Sequence, residues 1–248
     1  MRRVFKHFSY WFALLYLLPV LVAAGIWFAE AKPMSWRQAD WSSSGQLAGK
    51  PGDEAEIRVY SARAGRYKGI VAVHSWLLIK RQGAHAYDRY EVVGWGNPVR
   101  HNAHAPDGRW YSNEPELLTL VRGKKAQSLI PGVLEAIKSY PYDRRGTYRA
   151  WPGPNSNTFV AHVLNEVPEI GAVLPPTAVG KDFPVDGSIL ARTAGGFRLS
   201  MGGLVSLTLG LRCGIELNLL GLVAGFDILR PALKLPGIGR IGLPTART

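Results

Sequence analysis

The sequence predicts an α+β protein: an antiparallel sheet with two main helices, preceded by one N-terminal transmembrane helix and followed by a β-rich C-terminal extension. Three observations predict this class. A charge-free apolar run extends from Phe8 to Ala29, segments of strand composition precede two segments of helical period, and the tail alternates between apolar and polar residues. Because 47% of the residues are hydrophobic and 19% are charged, the chain can bury a core and is not disordered.

The N-terminal run is long enough to cross a membrane. About 20 apolar residues span a bilayer as a helix, and Arg2, Arg3 and Lys6 before the run place that end in the cytoplasm. A cleavable signal peptide is the alternative, because residues 29–31 read Ala-Glu-Ala. The run exceeds the usual hydrophobic region of a signal peptide. We therefore expect an uncleaved, single-pass anchor in the inner membrane, with the bulk of the chain in the periplasm.

Composition divides the chain into four parts. Residues 1–31 form the basic start and the anchor, residues 32–55 a linker, residues 56–190 an α+β domain, and residues 191–248 an apolar, β-rich extension. Four stretches of the domain have strand composition, and the third is expected to pair with the second across the loop 81–89. They are AEIRVYSAR (55–63), GIVAVHSWLLIK (69–80), YEVVGWG (90–96) and LLTLVRG (117–123).

Two helices are predicted in the second half of the domain. KAQSLIPGVLEAIKSYP (125–141) carries an apolar stripe and ends at Pro141, and SNTFVAHVLNEV (156–167) ends at Pro168. A short strand, GTYRAW (146–151), is predicted to lead into the turn before the second helix.

The tail has a strict period of two from Val205 to Leu219. One parity carries apolar residues, and the other carries polar or small residues, among them Arg212 and Glu216. This alternation is typical of a strand and not of a helix. We therefore expect a β-hairpin or long strand that packs on the domain with one face in water, and not a second membrane span. The apolar and basic stretch 230–244 is expected to lie either against the membrane surface or along the domain.

Charge and cysteine content limit the partners. The formal net charge of +12 favours anionic partners, so we expect an anionic phospholipid or a cell-wall component. Nucleic acid is not expected, because the basic residues are scattered and no nucleic-acid motif accompanies them. The single cysteine, Cys213, cannot form an internal disulfide, and the sequence contains no Cys/His cluster, phosphate loop or nucleotide fingerprint. No cofactor and no metal are therefore expected.

The stretch WPGPNSNTF (151–159) is the most specific feature of the domain. Its prolines and glycine fix the approach to a helix, and Asn155 or Ser156 can cap that helix. A serine at this place lies at the positive end of the helix dipole, which favours a nucleophile and an oxyanion. His74 lies within an otherwise apolar strand, so the expected catalytic pair is Ser156 with His74 as its base. A plain capping motif is the alternative.

A third polar group should orient His74. If the loop 81–89 is symmetric, His74 lies near Trp95, and Asn97 is its nearest polar neighbour on the same face. His101 is the alternative, folded back from its loop. Asn155, Asn97 and His101 are therefore the supporting residues of the expected site.

The order of a strand with a histidine and then a helix that opens at a nucleophile resembles the circularly permuted papain-like fold. That group includes NlpC-type proteins and the lecithin:retinol acyltransferase family. NSNTFV (155–160) resembles their Asn-Cys-x-x-Phe-Val pattern, with Ser156 at the thiol position. The exported part is also similar to a bacterial inner-membrane family known only as a domain of unknown function. This similarity is carried by VHSWLLIK (73–80), WPGPNSNTF, GKDF (180–183) and NLLGLVAGFDILRPALKLPGIGRIG (218–242).

Three functions stay open on these resemblances. The first is an envelope amidase, peptidase or acyltransferase that uses Ser156 and His74. The second is a catalytically inactive papain-like domain that binds a wall peptide or a lipid, and the third is a structural envelope protein tethered to the membrane. A thiol ionises far more readily than a serine hydroxyl, which needs a base in contact with it. The serine at position 156 therefore favours the second and third functions.

Overall fold

The structure is a computed structural model that describes residues 2–47 and 52–243. Within these residues the chain forms an apolar N-terminal helix, a five-stranded antiparallel sheet with helices, and a seven-stranded antiparallel sheet. The predicted α+β class is confirmed. Of the predicted C-terminal extension, residues 244–248 lie outside the described residues.

The first sheet has the strand order β4-β3-β2-β1-β5. Its centre is formed by the pair β1 and β2, which are joined in register from Glu56 opposite Lys80 to Arg63 opposite Val73. Both strands contain β-branched and aromatic residues that suit a buried pleated surface, such as Val59 and Tyr60 in β1 and Trp76 and Ile79 in β2. The strands are β1 (Glu56–Arg63), β2 (Val73–Lys80), β3 (Asp88–Val92), β4 (Val99–His101) and β5 (Glu116–Arg122).

Four α-helices occur in the described residues, and two of them pack on one face of this sheet. They are α1 (Arg2–Phe12), α2 (Leu18–Ala29), α3 (Gly123–Lys138) and α4 (Ser156–Glu166). The core lies between this face and the helices α3 and α4, where Leu77 and Ile79 of β2 meet Phe159 and Val160 of α4. The other face carries a second cluster around Trp76 and Trp110. Both predicted helices of the domain are therefore present.

The residues 146–151 do not form the predicted strand. The N–H of Arg149 donates to the carbonyl of Pro154, which closes a local turn. The segment belongs to neither of the two sheets.

The N-terminal helix runs through α1, a π-helical segment (Ala13–Leu17) and α2. Pro19 lacks an N–H and cannot donate to the preceding turn, and the irregular segment lies in that turn. The part Ser9–Ala29 is long and apolar enough to cross a membrane by length and composition. On its protein side, the helix buries Tyr16, Ala23 and Trp27.

The second sheet is a simple meander in which each strand pairs with the next along the chain. The predicted period-two segment forms β8 and β9 with a turn at 211–213, so the strand prediction is confirmed. The strands are β6 (Leu190–Thr193), β7 (Gly196–Met201), β8 (Val205–Gly210), β9 (Gly214–Leu219), β10 (Leu222–Asp227), β11 (Ala232–Leu235) and β12 (Gly239–Gly242).

The orientation of this sheet differs from the expectation that its polar parity faces water. In β9 the polar residues Glu216 and Asn218 are buried, whereas the apolar residues Ile215 and Leu217 are 46% and 40% exposed. The polar face turns inward because charged side chains and backbone groups of the α+β domain bind it there. Lys181, for example, pairs with Glu216. The apolar parity is left on the outside.

Candidate functional site

Helix α4 begins at Ser156, and Asn155 is its N-cap. The side-chain oxygen of Asn155 accepts hydrogen bonds from the N–H groups of Asn157 (2.9 Å) and Thr158 (3.1 Å). In return, the Thr158 hydroxyl accepts a bond from the Asn155 N–H at 3.1 Å. These bonds satisfy N–H groups that a helix start otherwise leaves without partners. The stretch WPGPNSNTF thus contains a complete capping box, formed by Asn155 and Thr158.

The same stretch also ties α4 to its surroundings. The amide of Asn157 donates to the carbonyls of Val73 and Val179, both at 2.9 Å, and its oxygen accepts a bond from the Ser75 hydroxyl at 2.8 Å. The Thr158 hydroxyl donates to the carbonyl of Gly180 at 2.7 Å. The helix start is therefore fastened to strand β2 on one side and to the loop 177–183 on the other.

His74 does not lie at this helix start. Ser75 contacts Asn157 of α4, and successive residues of a strand point to opposite faces. Accordingly, the His74 ring lies on the other face of the sheet, stacked on Trp110 with ring centroids 3.6 Å apart. The structure thus separates Ser156 from His74 by the sheet itself, and in this arrangement His74 cannot take the serine proton. Within the described residues, the Ser156 hydroxyl has no hydrogen-bond partner in the protein.

The group that orients His74 is Glu91. The Nε2 atom of His74 lies 2.8 Å from one carboxylate oxygen of Glu91, and the Nδ1 atom of His104 lies 2.7 Å from the other. Arg89 donates to the same carboxylate at 2.9 Å, and its guanidinium lies 4.2 Å from the ring centroid of Trp76. An ionised carboxylate can only accept, so both histidine rings donate to it. We call these four residues, His74, Arg89, Glu91 and His104, the Glu91 cluster.

Burial decides the charge of the cluster. Burial lowers the pKa of His74 below its ordinary value, and this effect outweighs the opposing hydrogen bond and charge of Glu91. Burial alone would raise the pKa of Glu91, but the hydrogen bonds from His104 and His74 and the charge of Arg89 hold it well below 4.5. Within the cluster, His74 is therefore neutral and Glu91 is ionised. Glu91 lies in the predicted strand YEVVGWG (90–96). Its position as an acidic residue among apolar neighbours is the sequence feature that could have identified it as a site residue.

The two other supporting residues lie elsewhere. β2 and β3 pair with Trp76 opposite Glu91, two residues away from the register that brings Trp95 and Asn97 close to His74. Asn97 is exposed in the turn between β3 and β4. His101 stacks on Tyr90 and lies 2.7 Å from a carboxylate oxygen of Asp88, at the far edge of the sheet. Of the supporting residues, the structure brings only Asn155 to Ser156.

The stretches GKDF and WPGPNSNTF meet the second sheet. The indole N–H of Trp151 donates to the carbonyl of Leu220 at 2.8 Å. The ammonium of Lys181 pairs with Glu216 and lies 3.2 Å from Asp182. Asp182 also accepts a bond at its carbonyl from the Ser200 hydroxyl at 2.8 Å. The expected nucleophile region is therefore a junction between the two sheets.

A groove of about 700 Å³ opens between the two sheets. On the side of the first sheet it is lined by Arg63 and Glu116, and on the side of the meander by Arg212 and Arg230. Sequence reasoning missed these residues, because they are far apart along the chain and share no motif. Among the described residues, no group of three or more His, Cys, Asp or Glu side chains could hold a metal ion.

Comparison with known proteins identifies the domain that carries the junction. A search among curated proteins found no match. A search among solved structures also found none. The family model described as "Protein of unknown function (DUF3750)" matches residues 54–183, which include the first sheet, α3, α4 and the stretch GKDF. The match covers more than half of the 248 residues, and the chain therefore belongs to this family of proteins of unknown function.

Proposed function

We propose that the protein is a membrane-anchored envelope protein that binds an anionic phospholipid in the groove between its two sheets, without catalysis by a Ser/His pair. The groove carries this proposal. It places arginine side chains of both sheets around a space of about 700 Å³. Arginine is well suited to phosphate, because its planar guanidinium can donate two parallel hydrogen bonds.

The positions of Arg212 and Glu116 in the groove support a phospholipid head group. Arg212 is exposed, and its guanidinium donates one hydrogen bond, from Nη1 to the carbonyl of Pro168 at 3.2 Å, so donors remain for a phosphate. Glu116 on the opposite wall can accept hydrogen bonds from head-group hydroxyls. Phosphatidylglycerol combines these features, since it carries one phosphate and two hydroxyl groups.

Two observations support an inactive domain over an enzyme. His74 lies across the sheet from Ser156, and its ring is held between Glu91 and Trp110. The side chains that face each other between β2 and α4 are Ser75 and Asn157, at 2.8 Å. We propose that the domain is a distant permuted papain-like relative without a reactive pair, since the side chain of β2 that bonds the start of α4 is Ser75 and not a histidine. An amide beside a hydroxyl supplies neither a base nor an activated nucleophile.

The N-terminal helix, which is long and apolar enough to cross a membrane, supports a membrane location. Its basic start favours a cytoplasmic end, so we propose an inner-membrane protein with its bulk in the periplasm. Resistance of the full-length protein to alkaline carbonate extraction is the expected result. Complete release of the full-length protein into the soluble fraction would contradict the anchor.

Lipid selectivity tests the groove. The full-length protein is released for native mass spectrometry from micelles doped with phosphatidylglycerol or with phosphatidylcholine. We expect a preference for phosphatidylglycerol that Arg212→Gln weakens at least about tenfold, since a hydrogen bond to a charged group contributes about 1.5–3 kcal/mol. Arg145→Gln, at an exposed position of the domain, removes the same charge and should keep the preference. Equal binding of both lipids, or equal loss in both variants, would refute the proposal.

A serine-reactive fluorophosphonate probe tests the absence of catalysis. We expect no labelling of the natural protein that depends on Ser156. Labelling that both Ser156→Ala and His74→Ala abolish would instead support the envelope hydrolase.

A further inference from the structure

The second sheet has an apolar outward face that is continuous over most of its width. Adjacent strands place apolar side chains opposite one another in two rows. The first row consists of Leu190, Leu199, Leu207 and Leu217. The second row consists of Phe197, Leu209, Ile215, Phe226, Leu233 and Ile241. All of these side chains are exposed, from 38% for Leu207 to 67% for Leu190.

The inward face of the same sheet is polar and buried. Four polar side chains form one row across this face, and each is at most 6% exposed. They are Arg198 of β7, Thr208 of β8, Glu216 of β9 and, beyond β10, Lys234 of β11. A sheet that faces water on one side normally has the opposite pattern, with apolar residues inside and polar residues outside. An exposed apolar surface of this extent marks a site of contact with an apolar partner.

The N-terminal helix identifies that partner. The Tyr16 hydroxyl donates to the carbonyl of Leu217 at 2.9 Å, and the segment Ala13–Leu17 packs against β10. Further along the helix, Val20 and Ala23 lie beside Gly237. These contacts fall in the middle of the run Ser9–Ala29, the part that a membrane-spanning helix places in hydrocarbon. The apolar face is therefore next to a segment that is itself surrounded by lipid.

The outer side of the helix has the same character as the sheet. Leu17, Leu18 and Leu21 are exposed, between 48% and 68%, and belong to the charge-free run. We infer that lipid acyl chains cover the outward face of the second sheet together with the helix, so that the protein contacts the bilayer through a β-surface in addition to its anchor. This contact is separate from the groove, whose lining arginines suit a charged head group and not acyl chains.

Fluorescence quenching at single sites tests this contact in the full-length protein. Phe197→Cys and Leu207→Cys place a thiol on the outward face, and Arg145→Cys places one on the exposed surface of the domain. Each thiol carries the fluorophore NBD in vesicles of phosphatidylcholine and phosphatidylglycerol. We expect lipids brominated on their acyl chains to quench NBD at residues 197 and 207 strongly, with loss of quenching by aqueous iodide. The Arg145→Cys label should show the reverse.

The buried Cys213 provides the folding control. A folded variant labels one thiol and the natural protein labels none, whereas a misfolded variant exposes Cys213 and labels two. If one of the variants Phe197→Cys and Leu207→Cys fails this control, the other one is used. Iodide quenching at residues 197 and 207 equal to that at 145 would overturn the inference. Insensitivity to both quenchers would also overturn it, because a second protein surface would then cover the face. The anchor alone would bring the protein to the vesicles, so vesicle binding by itself does not test the inference. The test is which labelled residues the lipid quencher reaches.

Discussion

Asn157 shows how one side chain can hold three segments together. It accepts a hydrogen bond from Ser75 of β2 and donates to the carbonyls of Val73 and Val179. The side chain is 2% exposed, so water cannot replace these partners. A buried polar group that loses its partner destabilises a protein by about 1–3 kcal/mol.

Asn157→Ala should therefore lower the free energy of unfolding by about 2 kcal/mol, because it leaves the Ser75 hydroxyl and the Val73 carbonyl without this partner, whereas the Val179 carbonyl keeps the bond from Asn155. Urea unfolding of the full-length protein in detergent measures this. Ser128→Ala is the control, since its hydroxyl bonds the Lys125 carbonyl on an exposed face of α3 and its loss should stay within about 0.5 kcal/mol. Equal effects of the two substitutions would contradict the role of Asn157 as a fastening residue.

The Glu91 cluster makes stability depend on pH. The pKa of His74 is lowered from its ordinary value of 6.5, so the unfolded chain binds a proton at a pH where the folded chain does not. The stabilisation is present above pH 6.5 and is lost as the pH falls towards the folded pKa. The pKa of Glu91 is lowered well below 4.5, which adds a further loss below that pH. We expect the free energy of unfolding to fall on acidification from pH 6.5.

His74→Gln isolates the histidine in this profile. Glutamine does not titrate, and its amide can still donate to Glu91. The slope of unfolding free energy against pH between 6.5 and 4.5 should therefore be smaller in the variant than in the natural protein. An unchanged slope would mean that His74 titrates normally in the folded protein.

At the scale of elements, periodicity predicted most of the fold. Strand composition located β1, β2 and β5, and the apolar stripe located α3 and α4. Register was not predictable, because it depends on the geometry of the loop between strands. A shift of two residues replaced Asn97 by Glu91 in the surroundings of His74. The parity of a strand also does not tell which face turns inward, so both the separation of His74 from Ser156 and the inverted second sheet escaped the sequence.

The loop that carries GKDF is shaped by a close approach to the helix cap. Gly180 has a φ of +93°, and a Cβ atom there would collide with the Asn155 side chain. Asn155 cannot move aside, because it caps α4 and donates to the carbonyls of Ala150 and Val179. This loop position therefore requires glycine for two reasons, its backbone conformation and the space available.

Gly180→Ala should consequently destabilise the protein more than a substitution that introduces backbone strain alone. Gly187→Ala is the matched control, with a φ of +77° and open space around its Cβ atom. Backbone strain in the left-handed region costs about 1–2 kcal/mol, and Gly180→Ala should exceed this value by a clear margin. Thermal unfolding of both variants in the same detergent gives the comparison. A larger loss for Gly187→Ala would show that the cap tolerates displacement.

At the scale of the whole molecule, a network of buried charges joins the second sheet to the family domain. Glu216 is 2% exposed and accepts from Lys181 of the loop 177–183 and from Lys234 of β11, the latter at 2.6 Å. Lys234 also lies 3.2 Å from Asp227. This arrangement follows from the orientation of the sheet. Because most of its apolar residues face outward, the inward face is mainly polar, with Val223 and Ala232 as apolar exceptions, and its charged groups must be paired to be buried.

Removing one member of such a network should therefore do more harm than removing an exposed ion pair. Glu216→Gln keeps the size of the side chain but leaves two buried ammonium groups beside a neutral amide. Breaking a buried pair costs about 3–5 kcal/mol, and we expect a loss near the lower end because Asp182 and Asp227 still face the lysines. Glu114→Gln breaks the exposed pair with Arg109 and should cost at most about 1 kcal/mol. Urea unfolding gives both values, and limited proteolysis shows whether cleavage in Glu216→Gln moves to the segment 184–189 that joins the domain to β6. Equal stability of the two variants would mean that the sheet is held by its surroundings on the apolar side and not by the charges beneath it.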